Sequence, residues 1–336
     1  MDAVSYGGDE SGLVWGWSFA PSGPAREIGS PDAAEALQRL RAQPDDAGFL
    51  WLHFNLSHAS SVRWLERHGG LAPSFFEALR DELLSTRIER DEDALVAVLN
   101  DVHYDFTLDA TEFATLWVSL DRSLVITARR TPLRSVEQLR TAVRAGDRPT
   151  STTELLERLL RAQADVLVGI VRDVTRRVDQ VEDDLLDGKL DAKRAKLGQL
   201  RRLLVRLQRL LAPEPASLFR LLQHPPRWMA DADVQQLSGA SEEFSVALRD
   251  TAALQERIKL LQEEVAAMVN ERNGRSLFAL TVLTVLALPI NILAGLFGMN
   301  VGGIPLAQNP HGFWILATVV TLFTGVGGWL AFSKRK

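Results

Sequence analysis

The chain of 336 residues contains no cysteine. Disulfide bonds, thiolate zinc sites and cysteine nucleophiles are therefore excluded. It also lacks a positive net charge, because 38 basic residues are set against 43 acidic ones and the formal net charge is −5. Nucleic acid is therefore not expected as a partner. The sequence contains neither a phosphate-binding Gly-Lys-Ser/Thr loop nor a Gly-x-Ser-x-Gly elbow, so we expect no ATP-driven step and no enzyme.

Charged residues are absent from one long stretch, Ser276 to Ser333. A soluble domain exposes charge at its surface, so 58 residues without Asp, Glu, Lys or Arg exclude a purely soluble protein. The stretch predicts two transmembrane helices, 276–299 and 313–333, each near the roughly 20 residues that cross a bilayer core. A buried helical hairpin of a soluble protein is the alternative.

Basic residues flank this stretch on both sides. Arg272 and Arg275 precede the first predicted span, and the tail 334–336 follows the second, whereas the loop 300–312 has no basic residue. Because basic residues stay on the cytoplasmic side, both termini are expected in the cytoplasm, with the loop outside.

The part before the spans is predicted to be cytoplasmic and mixed in structure. Residues 1–149 alternate strand-like and helical runs, which indicates an α/β domain. Helical periodicity then predicts a hairpin and connector over 150–232 and a stalk helix over 233–275 that enters the first span. Strands are predicted at 13–19, 49–54, 95–102, 115–120 and 124–127. Helices are predicted at 32–41, 61–68, 74–84, 152–187, 191–211 and 235–297, with Pro213 and Pro215 closing the fifth of them.

A short motif ends the first span. Gly298, Met299 and Asn300 are followed by Gly302, Gly303, Ile304 and Pro305. A pair of C-terminal spans with this motif resembles the CorA family of divalent-cation transporters, and the Gly-Gly-Ile-Pro continuation resembles its ZntB branch, the zinc transporters. The runs 51–55 and 86–89 support the resemblance. It implies a funnel-shaped homopentamer in a bacterial inner membrane, in which the first span of each subunit lines a central pore and a ring of Asn300 meets the hydrated cation.

One face of the first span carries its polar residues at steps of three and four. The predicted pore-lining residues are Gly274, Leu277, Thr281, Thr284, Leu288, Asn291 and Gly295. Polar groups in a span usually face a bundle interior or water. Alternatively, the threonines bond to their own helix and Gly295 permits close packing. Pro289 is expected to bend this helix or loosen its hydrogen bonds.

The chemistry of this face predicts how a cation passes. It offers no carboxylate or imidazole, whereas a closed zinc site needs such ligands and Mg²⁺ gives up its water reluctantly. A divalent cation is therefore expected to keep much of its water, which Asn291 and Asn300 bind. Leu277 and Leu288 would form apolar constrictions.

The outer loop bears on the choice of ion. Many magnesium-type members of the family are similar in carrying an acidic loop, whereas this loop has no acid, which favours Zn²⁺. His311 is either a zinc contact or merely polar surface. The ZntB resemblance also implies proton coupling. A Mg²⁺/Co²⁺/Ni²⁺ channel of the CorA type is the alternative, and a membrane-anchored sensor or scaffold is a third hypothesis. No cofactor is expected beyond the transported cation.

Acidic residues crowd the end of the first long helix. They are Asp179, Glu182, Asp183, Asp184 and Asp187. They are either a solvated helix tip, or a cluster that attracts cations near the cytoplasmic mouth or takes part in regulatory binding between subunits.

Overall fold

The computed structural model describes residues 7–42, 48–81, 86–105, 107–108, 113–186, 193–299, 304–306 and 309–333. The chain forms two compact units, Met1–Gln262 (unit 1) and Glu263–Lys336 (unit 2).

Unit 1 is built on one seven-stranded sheet. Its strands are β1 (Leu13–Phe19), β2 (Arg26–Ile28), β3 (Phe49–Asn55), β4 (Arg87–Asp91), β5 (Ala94–Val102), β6 (Phe113–Leu120) and β7 (Leu124–Arg129). Their order is β2-β1-β3-β7-β6-β5-β4, and only the pair β3–β7 is parallel among the described pairs. All five predicted strands are present. The two that the sequence analysis missed, β2 and β4, are the edge strands, and their short, charged sequences are typical of edges.

The described residues form nine α-helices. They are α1 (Ser30–Ala42), α2 (Ala59–Trp64, continued by a π-helical turn over Leu65–Gly69), α3 (Pro73–Arg80), α4 (Arg134–Arg144), α5 (Thr152–Leu186), α6 (Lys193–Leu211), α7 (Pro213–Leu222), α8 (Asp231–Phe297) and α9 (Gly312–Ser333). Within the described residues the predicted helices are found, and α4 and α7 were missed. The proline prediction is half wrong, because α6 ends at Leu211 but Pro213 begins α7. Proline is well tolerated there, since the first helical residue needs no N–H donor.

Helices cover both faces of the sheet, so unit 1 has three layers. One apolar core lies beneath α1 and α3, and the other lies beneath α4, α5, α7 and the first turns of α8. A register shift between Leu13 and Trp15 moves β1 from one core to the other. In a regular strand two residues that are two apart share a face, and the extra residue of a bulge shifts this alternation by one.

The first two turns of α5 show why the sequence starts a helix there. Ser151 Oγ accepts the Glu154 N–H at 3.0 Å. The Glu154 carboxylate in turn accepts the Thr150 N–H at 2.6 Å, a variant of the reciprocal cap that Ser151 and Glu154 predict. Partial burial opposes ionisation of Glu154, but its hydrogen bonds with Thr150 and the guanidinium of Arg158 outweigh burial and lower its pKa.

Candidate cation pathway

Among the described residues, two helices are long and apolar enough to cross a membrane. They are the C-terminal part of α8 and α9, which correspond to the predicted spans. No residue in the most apolar stretch of either helix is buried within the chain. Apolar surface of this extent requires lipid or further protein copies to cover it.

The threonines of the first span are satisfied within their own helix. Thr281 Oγ1 donates to the Leu277 carbonyl at 2.8 Å, and Thr284 Oγ1 donates to the Leu280 carbonyl at 2.9 Å. The alternative that these side chains bond to their own helix is therefore confirmed. A hydroxyl oxygen that donates in this way keeps two lone pairs, so each threonine can still accept a hydrogen bond from water.

The seven residues predicted to line a pore, Gly274 to Gly295, are all exposed in the single chain. We call this set the polar stripe. The face of α8 that packs on α9 lies elsewhere. A Cβ on Gly327 of α9 would lie 3.0 Å from Leu286 Cδ2, and Val282, Leu286 and Leu293 are half-buried. Leu286 is nine residues after Leu277, which at about 100° per residue places it on the opposite side of the helix. Unit 2 thus leaves the polar stripe uncovered.

Pro289 lies inside α8, which continues through it to Phe297. Proline has no N–H, so the carbonyl four residues earlier, that of Val285, lacks its usual helical donor. This is the local loosening of the hydrogen-bond ladder that the sequence predicts.

The motif at the end of the first span is partly described. Gly298 N–H donates to the Ala294 carbonyl at 2.9 Å and closes the helix, and Met299 is exposed. Asn300, Gly302 and Gly303 lie outside the described residues. Ile304 and Pro305 precede a turn at Leu306, whose φ is +66°.

The chain enters α9 through a local cap. His311 N–H donates to Asn309 Oδ1 at 2.9 Å, and the His311 side chain is exposed. A Cβ on Gly312 would lie 2.6 Å from the Leu306 carbonyl oxygen, so only glycine fits where the loop enters the helix. No group of three or more His, Asp or Glu residues is arranged to hold a metal ion within the described part of the chain.

The acidic cluster of unit 1 is partly neutralised. Arg257 of α8 donates to Asp179 Oδ1 at 2.7 Å and to both carboxylate oxygens of Glu182, at 2.5 and 3.0 Å. These bonds raise the pKa of the Arg257 guanidinium. Asp183 is exposed and Asp184 half-buried, while Asp187 lies outside the described residues. Two of the five predicted cation-attracting carboxylates, Asp179 and Glu182, are thus already paired with a basic side chain.

The histidine of β3 has a structural environment. Arg129 Nε–H donates to His53 Nε2 at 3.0 Å, so Nδ1 carries the proton and donates to Thr127 Oγ1 at 2.8 Å. The ring stacks on Trp15 at 4.0 Å between centroids. Burial lowers the pKa of His53 well below its ordinary value, and the charges of Arg129 and Arg140 lower it further. His53 is therefore neutral, and it fixes β3 to β7.

This chain is similar to a known protein family and to named transporters. A family model described as "CorA-like Mg2+ transporter protein" matches residues 46–335. The divalent cation transporter CmaX of Pseudomonas aeruginosa is 28% identical, with 93% of each chain covered. The zinc transport protein ZntB of Pectobacterium carotovorum is 26% identical, with 98% of this chain and 99% of the relative covered.

Solved structures give the same fold. Full-length CmaX matches with a TM-score of 0.77 and 26% identity over 98% of this chain and 99% of that chain. The CorA magnesium transporter of Methanocaldococcus jannaschii matches with a TM-score of 0.77 and 18% identity over 94% and 96%, which shows the fold alone. The predicted fold class, an α/β domain followed by long helices and two apolar C-terminal helices, is confirmed.

Proposed function

The chain belongs to the family of CorA-like Mg²⁺ transporter proteins, and from this premise we propose that it transports divalent cations across a membrane as a homopentamer. The observation that carries the proposal is the polar stripe, a row of hydroxyl, amide and glycine positions on α8 that faces away from α9. Two spans in one chain cannot enclose a polar path. Several copies around an axis can, with the stripe facing the axis, and the number five follows from the family resemblance.

In this arrangement the chain would be divided as the sequence predicts. Residues 1–149, 150–232 and 233–275 would form the cytoplasmic domain, hairpin and stalk. Residues 276–299 and 313–333 would span a bacterial inner membrane, joined by the periplasmic loop 300–312, and the tail 334–336 would lie in the cytoplasm. The basic residues at both cytoplasmic ends support this orientation.

The cation would pass with most of its hydration shell. Apart from Leu277 and Leu288, the stripe offers only hydroxyls, an amide and backbone, which are weak direct ligands for Zn²⁺ but good partners for the water that surrounds it. Asn300 would meet the hydrated ion at the outer mouth, within the motif Gly298-Met299-Asn300, and Asn291 would meet it farther in. Leu277 and Leu288 would close the path by dewetting.

Zn²⁺ is the favoured cargo. The outer loop carries no carboxylate, and Gly302 to Pro305 match the zinc branch of the family. The 26% identity to ZntB over nearly the whole chain supports this choice. The family description and the relative CmaX keep Mg²⁺, Co²⁺ and Ni²⁺ as the second candidate. Proton coupling is part of the proposal, and His311 is the only titratable side chain of residues 276–333.

The experiment is a flux assay on the full-length protein in liposomes. Zn²⁺, Mg²⁺, Co²⁺ and Ni²⁺ uptake are compared with and without a pH gradient. We expect Zn²⁺ to move fastest, and faster with an inward proton gradient. Mg²⁺ preference without pH dependence would favour the second candidate, and no flux from verified pentamers would favour a sensor or scaffold.

Matched variants connect the flux to the stripe. Thr284→Val and Thr321→Val each remove a hydroxyl that donates to the carbonyl four residues earlier, one on the stripe and one on α9. Only Thr284→Val is expected to slow transport. Asn300→Ala should slow it further, and wild-type rates in that variant would remove the proposed role of Asn300.

A further inference from the structure

The buried face of α7 carries a carboxyl group. Glu214 lies in the first turn of α7, and Ser217, Leu218 and Leu221 continue the same face into the core. Glu214 is 1% exposed, and neither of its carboxyl oxygens has a hydrogen-bond partner among the described residues. An ionised carboxylate is among the most costly groups to bury without a partner, whereas a neutral carboxylic acid is far less so.

A second carboxyl group, Asp101 of β5, lies near Glu214 but is fully hydrogen-bonded. Asp101 Oδ1 accepts the Val102 N–H at 2.7 Å, and Oδ2 accepts the Ser135 N–H at 3.0 Å and the Ser135 hydroxyl. Burial raises the pKa of Asp101, and these bonds and Arg134 oppose that effect. Of the two carboxyl groups, Asp101 is thus the one equipped to hold a negative charge.

An acceptor without a donor lies over the same part of β5. Gln163 of α5 is buried, and its Nε2 donates to the Asn100 carbonyl at 3.1 Å. Its Oε1 has no donor among the described residues. Three buried oxygens of this core, two on Glu214 and one on Gln163, thus have no donor among the described residues, and none of them can donate a hydrogen bond unless Glu214 carries a proton.

We propose that Glu214 is a proton-binding site, which holds its proton while α7 is packed on the sheet and releases α7 when the proton is lost. Residues 223–230 are all that separate α7 from α8, so release of α7 acts on the start of the helix that carries the polar stripe.

The surrounding charges do not offer Glu214 a counterion. Burial, and after it the negative charge of Asp101, raises the pKa of Glu214 well above its ordinary value. The other charged groups on the elements around α7 have their own contacts or are exposed. Those contacts are Arg87 with Asp81, Arg90 with the Glu92 carbonyl, Asp91 with the Ser74 N–H, Arg206 with the Phe113 ring, Glu137 with Arg140, Glu157 with Arg161 and Asp233 with the Ala230 N–H. Glu89 and Arg209 are exposed.

The direction of the pH effect follows from the raised pKa. In the unfolded chain Glu214 titrates near 4.5, whereas in the folded protein it keeps its proton to higher pH. Between these two pKa values the folded state binds more protons. The free energy of unfolding therefore falls as the pH rises through this window, and it levels off above the folded pKa.

The test compares the full-length wild type with Glu214→Gln, which has nearly the same shape without charge, and with Glu77→Gln at an exposed position of α3. As the pH is raised from 4.5, the infrared carbonyl band of a protonated carboxylic acid should persist in the wild type and in Glu77→Gln after it has gone from Glu214→Gln. From pH 5 to 8 the melting temperature of the wild type should fall relative to Glu214→Gln, on the order of 3 °C per pH unit inside the window.

Several results would overturn the proposal. The first is the absence of the acid band from the wild type. The second is an equal change of melting temperature with pH in the wild type and in Glu214→Gln. The third is failure of both Glu214→Gln and Glu214→Leu to fold, because the negative charge would then be required. If Mg²⁺ or Zn²⁺ stabilises the wild type, and Glu214→Gln loses both this stabilisation and the acid band, the site would instead be assigned to a metal ion.

A consequence for transport rests on the proposed function. If release of α7 affects the pore, then raising the pH on the side of unit 1 should change cation flux in the wild type and not in Glu214→Gln. The two proposals fail separately, because an absent acid band contradicts the proton site and an absence of flux in both proteins contradicts the transporter.

Discussion

The packing of α9 on α8 can be tested by adding volume at Gly327. A Cβ there would lie 3.0 Å from Leu286 Cδ2, well inside the roughly 3.5–4.0 Å at which two carbon atoms attract each other. Valine adds two methyl groups beyond that atom. Gly327→Val should therefore lower the free energy of unfolding by about 1–3 kcal/mol, the usual cost of overpacking a tight contact.

The assay is thermal unfolding of the purified full-length protein in detergent, followed by tryptophan fluorescence, since Trp314 and Trp329 lie on α9. Gly325→Val is the matched control, because a Cβ at Gly325 meets nothing within 4 Å in the described chain. The double variant Leu286→Ala/Gly327→Val removes the side chain that clashes, so it should recover about 0.5–3 kcal/mol of the loss as coupling energy.

Equal losses in Gly325→Val and Gly327→Val, or no recovery in the double variant, would refute the reasoning. In either case α9 would not pack on the Leu286 face of α8. The polar stripe would then no longer be the face that the second helix leaves open.

Two further predictions concern unit 1 and are measured by the same unfolding assay. Because the pKa of His53 is lowered in the folded protein, the unfolded state binds a proton first as the pH falls below about 6.5, so stability should drop by up to about 1.4 kcal/mol per pH unit there. His53→Leu, although less stable, should have a flatter pH profile, and identical slopes would contradict the assignment. Gly48 has φ +72°, and a Cβ there would lie 1.8 Å from the Phe19 carbonyl oxygen. Gly48→Ala should therefore cost more than about 1 kcal/mol, whereas Gly29→Ala, where the nearest atom is 3.9 Å away, should change little. Similar stabilities of the two variants would contradict this account of the turn.

Much of the fold is predictable because its strongest signals are local. The absence of charge from 276 to 333 and the helical period of α5, α6 and α8 depend only on nearby residues. The inner strands are continuous apolar runs, which the sequence analysis found within one to two residues of their ends. By contrast, β4 has the sequence Arg-Ile-Glu-Arg-Asp, and such a charged run becomes a strand only because β5 offers it an edge.

Features that depend on distant parts of the chain were missed or left open. Pro213 and Pro215 were interpreted only as helix stops, because nothing local shows that the next turn packs inward beneath a sheet. Glu214 is a similar case. A carboxyl group in a proline-rich sequence is expected at the surface, and only the tertiary structure shows that it is buried. The ion pair between Arg257 and Glu182 joins residues 75 apart, so the sequence analysis did not predict it.

The site is predictable to the same limited degree. Steps of three and four residues are enough to put Thr281, Thr284 and Asn291 on one face of a helix. They do not reveal which face meets α9, because α9 is apolar all round and its glycines give no directional signal. That information came from the contact between Gly327 and Leu286.

The most direct test of the central claim uses the absence of cysteine from the chain. Single variants Thr284→Cys and Asn291→Cys on the polar stripe, and Leu286→Cys on the α9 face, provide one thiol each in an otherwise unreactive protein. In proteoliposomes, a small membrane-impermeant thiol reagent should block cation flux through the two stripe variants and leave Leu286→Cys unaffected. If the reagent instead blocks cation flux through Leu286→Cys and does not react with Thr284→Cys and Asn291→Cys, the proposal that this stripe lines the cation path is contradicted.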